Sequence, residues 1–245
     1  MSVAGARIEL WGQEREGSPA LSSVLRALMA DLQARGARVE LVLPERDMLD
    51  PRRVSRPDLV LLRTTTTMGL AIAQGYEATG VRFLNGARET VRAHRPATVG
   101  KVLAHAGVAV PLTFAAAGAV ERRGQPPAAV ATRPRRGPEL DLDRRRQRPG
   151  VRVYVAGEAL FAARKPVSAR TRMGPQMEPV ALDERAAAAA RAAAAALGLR
   201  LVGLDLRYEA GLPIVTDAEP LPAFRGFPTA VAALTAEVER ALEAR

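Results

Sequence analysis

The chain contains no cysteine. It therefore has neither a disulfide framework nor a thiolate metal site, a pattern that suits the cytoplasm. Aromatic residues make up 4% of the 245 positions, too few to build the stacking platforms that hold single-stranded nucleic acid. The two histidines, His94 and His105, have no serine or second ligand at useful spacing, so both read as structural or solvated rather than catalytic. Lysine occurs only at Lys101 and Lys165. No run reaches the roughly 18 apolar residues of a membrane span, and the stretch Met1 to Glu9 lacks the apolar region of a signal peptide. What is present is a 48% hydrophobic composition, enough for a substantial core in one large or two modest domains.

Positive charge is the other excess, with a formal net charge of +10. Half of it lies between Glu121 and Gly150, where nine arginines face four acids. Arginine forks grip phosphates, whether of a nucleotide or of a nucleic-acid backbone. No helix-turn-helix or zinc-finger spacing accompanies the segment 133–148, so a solvated basic loop is favoured over a nucleic-acid surface.

The first ninety residues alternate strand-like and helix-like segments. Strands are expected at Arg7 to Trp11, Arg38 to Leu43, Asp58 to Arg63 and, shortest, Val81 to Asn85. A helix is expected from Leu21 to about Gly36 and another from about Met68. Such alternation implies a parallel sheet covered by helices. Arg63 and Thr64 to Thr67 follow the third strand, where open α/β sheets bind ligands. Those threonines either hold a carboxylate or cap the following helix, and capping is the favoured reading. Near the C-terminus, the alanine run from Ala186 to Ala196 reads as one helix, capped by Asp183 and ended by Gly198. A last helix from about Thr229 to Glu243 buries the face of Val231, Leu234, Val238 and Leu242.

Between those two helices lies a cluster of acids. Asp205 stands in Gly203-Leu204-Asp205-Leu206, and Asp217 and Glu219 stand in Asp217-Ala218-Glu219-Pro220, twelve residues on. Gly211 and Pro213 punctuate an intervening turn from Arg207 to Pro213 between two short buried strands. Asp217 and Glu219 share a strand face, and a hairpin partner brings Asp205 beside them. Converging carboxylates need a cation, and hard divalent ions take oxygen ligands together with phosphates.

This pattern resembles the C-terminal metal motif of the ATP-grasp ligases, most closely their RimK-like branch. The hairpin Val151-Arg152-Val153-Tyr154-Val155-Ala156-Gly157, with Arg164-Lys165 after it, is similar to that family's phosphate-orienting hairpin. The passage Leu103 to Thr113 resembles its entry into the central domain. Departures accompany the matches: Arg95-Pro96 stands where the family opens a helix with Asp-Lys, Arg133 replaces a lysine, and a single Gly137 follows where the family has a glycine-rich phosphate loop. The stretch from Gly137 to Pro149 is too short for the nucleotide hinge.

The resemblance implies an α/β fold: an N-terminal Rossmann-like parallel sheet followed by a truncated ATP-grasp module with an α+β C-terminal part. It divides the chain into a Rossmann-like domain at 1–90, a shortened central or lid region at 91–150 and a C-terminal domain at 151–245. It implies ATP and Mg²⁺ (or Mn²⁺) as cofactors, with Asp205, Asp217 and Glu219 as metal ligands. Arg133, Arg152 and Lys165 would contact nucleotide phosphates, with Arg152 also catalytic. The partners would be a small-molecule or peptide carboxylate and an amine, joined through an acyl phosphate. A catalytically inactive relative that keeps the scaffold for ligand or partner binding stays open beside it.

Overall fold

A computed structural model describes residues 3–15, 18–19, 21–47, 56–111, 150–165 and 177–244. Strand β1 (Arg7–Trp11) is central in a three-stranded parallel sheet between β4 (Arg38–Val42) and β5 (Leu59–Leu62). Both faces of β5 and most of β1 are covered, which is why their buried positions are almost all apolar, whereas the edge strand β4 exposes Arg38 and Glu40. Ile8, Leu10, Leu59 and Leu61 face helix α1 (Ser23–Ala34), which supplies Leu25, Leu28 and Leu32. Trp11, Val60 and Leu62 face helix α3 (Thr67–Ala78), and the Trp11 ring meets Tyr76 and Phe83 edge-on. Glu9 is the buried exception, and its carboxylate accepts the indole N–H of Trp11 at 2.7 Å. Strands β2 (Glu14–Arg15) and β3 (Ser18–Pro19) form a separate short ribbon, and α2 (Pro44–Asp47) follows β4.

The stretch expected as a fourth strand contributes only one parallel bridge, Val60 to Phe83. Its end is committed elsewhere. The buried Asn85 side chain accepts from the Arg200 and Leu201 amides at 3.0 and 3.1 Å and donates to the Leu201 carbonyl at 2.7 Å. It thereby does with an amide group what a neighbouring strand would do with its backbone.

The threonines after β5 cap rather than gape. Thr66 Oγ1 accepts the Gly69 amide at 3.1 Å and its hydroxyl donates to Glu45, while Thr65 donates from both its amide and its hydroxyl to Gln13. Helices α4 (Ala87–Ala93) and α5 (Pro96–His105) follow, with His94 at the end of α4 and His105 closing α5.

The second sheet is antiparallel, in the order β10-β9-β6-β7-β8, from β6 (Gly150–Ala156), β7 (Ala159–Lys165), β8 (Glu178–Pro179), β9 (Leu201–Glu209) and β10 (Leu212–Pro220). One face, with Val153, Val155, Ala162, Val202, Leu204, Leu206 and Val215, packs on helix α6 (Glu184–Leu197). Alanines 186, 190, 193 and 194 form the buried side of α6, and their small volume lets the helix lie close to the sheet. Asp183 caps α6 by accepting the Ala186 amide at 2.8 Å, and Gly198 ends it with φ 69°. The other face is divided along its length. At one end Tyr154 stacks on Phe224 with centroids 5.1 Å apart, and Phe161 and Phe227 close around them. Helix α7 (Ala230–Glu243) adds Leu234, Val238 and Leu242, so this apolar end shares one core with α1 and the parallel sheet. Ser22 and Arg82 reinforce that junction, donating to Ala223 and to the last carbonyls of α7 respectively.

Strands β9 and β10 run nine residues each, longer than the sequence suggested, and their turn is only Ala210-Gly211. Both residues have positive φ, 50° and 76°, the signature of a tight two-residue hairpin. Pro213 lies within β10 because β10 is an edge strand, where a missing N–H costs little. Among the described residues no helix is long and apolar enough to cross a membrane.

Candidate active site

The charged end of the divided sheet face is built by strand register. Arg152 lies opposite Asp205 across β6 and β9, and Asp205 lies opposite Asp217 across β9 and β10. The pairing between β9 and β10 shifts by one residue between Val215 and Asp217. In an unbroken ladder Val215 and Asp217 would share a face, and Asp217 would point at the alanines of α6. Thr216 takes up the shift as the extra residue of a bulge, and its hydroxyl donates to the Asp205 carbonyl at 3.1 Å. Asp217 and Glu219 thus join Asp205 on the charged face. Asp205 and Asp217 sit in mid-strand, and Glu219 stands one residue before the end of β10.

Two cations meet them. Arg152 Nη1 donates to Asp205 Oδ1 at 2.9 Å, Arg152 Nη2 pairs with Glu219 Oε2, and Lys165 Nζ pairs with Asp205 Oδ2. Arg152 and Asp205 are buried, whereas the Glu219 and Lys165 side chains are 46% and 36% exposed. Burial works to lower the pKa of Arg152, but the carboxylates of Asp205 and Glu219 outweigh it and hold the guanidinium above its ordinary value. Burial likewise pushes Asp205 up, and Arg152 and then Lys165 more than reverse it, leaving that carboxyl below its ordinary value. The guanidinium also lies 5.5 Å from the centre of the Tyr154 ring.

Gly203 makes this arrangement feasible. A Cβ there would stand 2.5 to 3.0 Å from three atoms of the Arg152 guanidinium, so a side chain would push it out of place. The sequence carried a signal for this in a glycine within an otherwise apolar buried strand, which marks close approach. The Thr216 bulge carried none. The edge of β10 is held by the Val215 amide donating to the Ala109 carbonyl at 3.0 Å, and Asp217 Oδ1 accepts the Ala218 amide at 3.0 Å.

Beside the acids is a cavity of about 250 Å³ lined by Asp217, Glu219, His94, Pro96 and Val99. His94, read from sequence as structural or solvated, therefore lies across from two of the acids. Burial lowers its pKa, opposed by Glu219 and then Asp217. All the described candidates, Arg152, Lys165, Asp205, Asp217 and Glu219, meet on one face. Arg133 and the basic segment 133–148 lie outside the described residues, as does the stretch from Gly137 to Pro149.

The donor set, three carboxylates with no sulfur, suits a hard divalent cation. Among the described residues no group of three acid or histidine side chains is arranged to hold a metal, and Arg152 and Lys165 engage both oxygens of Asp205.

No protein-family model matches the sequence, and no curated protein matches it. Solved structures do. A RimK-domain ATP-grasp protein from Sphaerobacter thermophilus matches 95% of this chain over 98% of its own, at 20% identity and a TM-score of 0.62. The ATP-grasp ligase PsnB, complexed with a minimal precursor, matches 94% of this chain over 99% of its own, at 20% identity and a TM-score of 0.58. A D-alanine–D-alanine ligase from Bacillus anthracis complexed with ATP matches 98% over 96%, at 14% identity and a TM-score of 0.60. The two sheets and their order in the chain are thus those of a recurrent architecture.

Proposed function

We propose that this chain, whose fold is that of the ATP-grasp ligases, is a RimK-like, Mg-ATP-dependent carboxylate–amine ligase. The observation that carries the reading is the convergence of Arg152, Lys165, Asp205, Asp217 and Glu219 on one face of the antiparallel sheet. The fold alone would not specify a reaction. Asp205, Asp217 and Glu219 would hold Mg²⁺ (or Mn²⁺), which when bound neutralises phosphate charge. Arg152 and Lys165 would bind the oxygens of the transferring phosphoryl group, with Arg133 as a third cation. ATP would give its γ-phosphoryl group to a substrate carboxylate, forming an acyl phosphate and ADP. An amine lone pair would then attack the acyl carbon, phosphate would leave, and the nitrogen would lose a proton to give the amide.

A neighbour complexed with a precursor peptide and another that is a D-alanine–D-alanine ligase support a peptide or small-molecule carboxylate as the substrate. Division at about residues 90 and 150 and a cytoplasmic location belong to the same reading. A second reading, an inactive scaffold that binds a ligand or partner, is favoured by one observation: both Asp205 oxygens are engaged by internal cations.

Calorimetric titration with ATP and Mg²⁺, repeated on Asp217→Ala/Glu219→Ala, separates the two. Metal-dependent heat that disappears in the variant supports the ligase. A folded protein giving no heat at millimolar ATP rules the ligase out and leaves the scaffold.

A further inference from the structure

Asp205 is the most buried of the three acids, and both of its oxygens are engaged, Oδ1 by Arg152 and Oδ2 by Lys165. A magnesium-sized ion needs direct contact with a carboxylate oxygen at about 2.1 Å, and an ammonium paired with that oxygen opposes it by like charge and by crowding. The two cations differ in their freedom to leave. Arg152 is pinned: it is buried, both terminal nitrogens are engaged, and it lies over Gly203 beside the Tyr154 ring. Lys165 is the last residue of β7, its side chain is 36% exposed, and its single charge rides on a flexible four-carbon stem.

We propose that Lys165 is the resident counter-ion of Asp205 in the nucleotide-free chain, and that a polyphosphate opens Asp205 to a divalent cation by drawing the ammonium to itself. Metal and polyphosphate then bind with positive coupling, each strengthening the other by the same factor. Arg152 stays in place as the fixed cation, and Lys165 alone carries the exchange. The nucleotide half of this scheme rests on the ligase reading above, whereas the counter-ion half does not.

Equilibrium dialysis of Mn²⁺ tests both halves, using wild type and Lys165→Met, with ATP absent or at equal concentration on both sides of the membrane. Wild type is expected to take Mn²⁺ about tenfold more tightly with ATP than without. Lys165→Met, with Asp205 uncovered, is expected to take Mn²⁺ alone about tenfold more tightly than wild type and to gain little from ATP. Adding Asp205→Asn to the Lys165→Met variant should abolish that gain, which places the ion on Asp205. Unfolding curves confirm that each variant is folded, and the exposure of Lys165 favours this. A Lys165→Met variant that binds Mn²⁺ no better than wild type overturns the proposal, as does a gain that survives Asp205→Asn. If the variant gains as expected while ATP changes nothing in wild type, the counter-ion stands and the nucleotide reading fails.

Discussion

The two ends of one sheet face are made from the same strands by opposite means. Tyr154 and Arg152 are two residues apart on β6 and share a face, yet one lies in an aromatic cluster and the other in an ionic one. The apolar end is held by volume: Phe224, Phe227 and α7 fill the space above it. The charged end is held by pairing, and each of its buried groups depends on a partner of opposite sign. A packed end tolerates acid and salt but not a cavity. A paired end tolerates neither the loss of a buried charge nor a side chain that displaces the buried guanidinium.

The strongest way to break the apolar end is Phe224→Ala. Phe224 is fully buried, so its removal should cost about 4 kcal/mol in denaturant unfolding and leave the pH dependence of stability unchanged. At the charged end, Asp205→Asn leaves the buried Arg152 short of a partner and should cost about 3 kcal/mol. Gly203→Ala tests the contact between strand and guanidinium without altering charge. It should cost about 2 kcal/mol, and a double-mutant cycle with Arg152→Met should show most of that cost vanishing.

Acid sharpens the same contrast. The folded-state pKa of Asp205 lies below its unfolded value, so its contribution is fully present above the unfolded value and is lost as pH falls through the folded one. Unfolding free energies at pH 7 and pH 3 should therefore differ less in Asp205→Asn than in wild type. The smallest effect belongs to Lys165→Met, whose partly exposed ion pair should contribute less than about 1 kcal/mol. Its consequence should appear in metal binding, not in stability.

Much of this was legible from local pattern. The apolar runs of β1, β4 and β5, the Asp183 cap, the Gly198 stop and the spacing of α7 each follow from short-range rules that the tertiary structure leaves intact. Residues on a shared strand face were also legible, which is why Asp217 and Glu219 were paired correctly. Pro213 misled because proline usually ends a strand, and only the strand order shows that β10 is at an edge. The segment ending at Asn85 looked like a strand because its residues suit one, but its side-chain bonds go to a chain segment more than a hundred residues away. The ion pairs of Lys165 and Arg152 with Asp205 likewise depend on the packing of β6, β7 and β9 and have no signature in any one strand.

The bulge at Thr216 changes how this hairpin should be aligned with others. With Thr216 present, Asp217 stays on the charged face only because the ladder slips by one. With Thr216 deleted, Val215 would still oppose Leu206 and Asp217 would still oppose Asp205, now without a slip. A gap at that column is therefore a silent event for the acids, whereas a gap one column later removes Asp217 itself. Hairpins of this type with one residue fewer between their acids would present the same face, and spacing alone should not be used to set them apart.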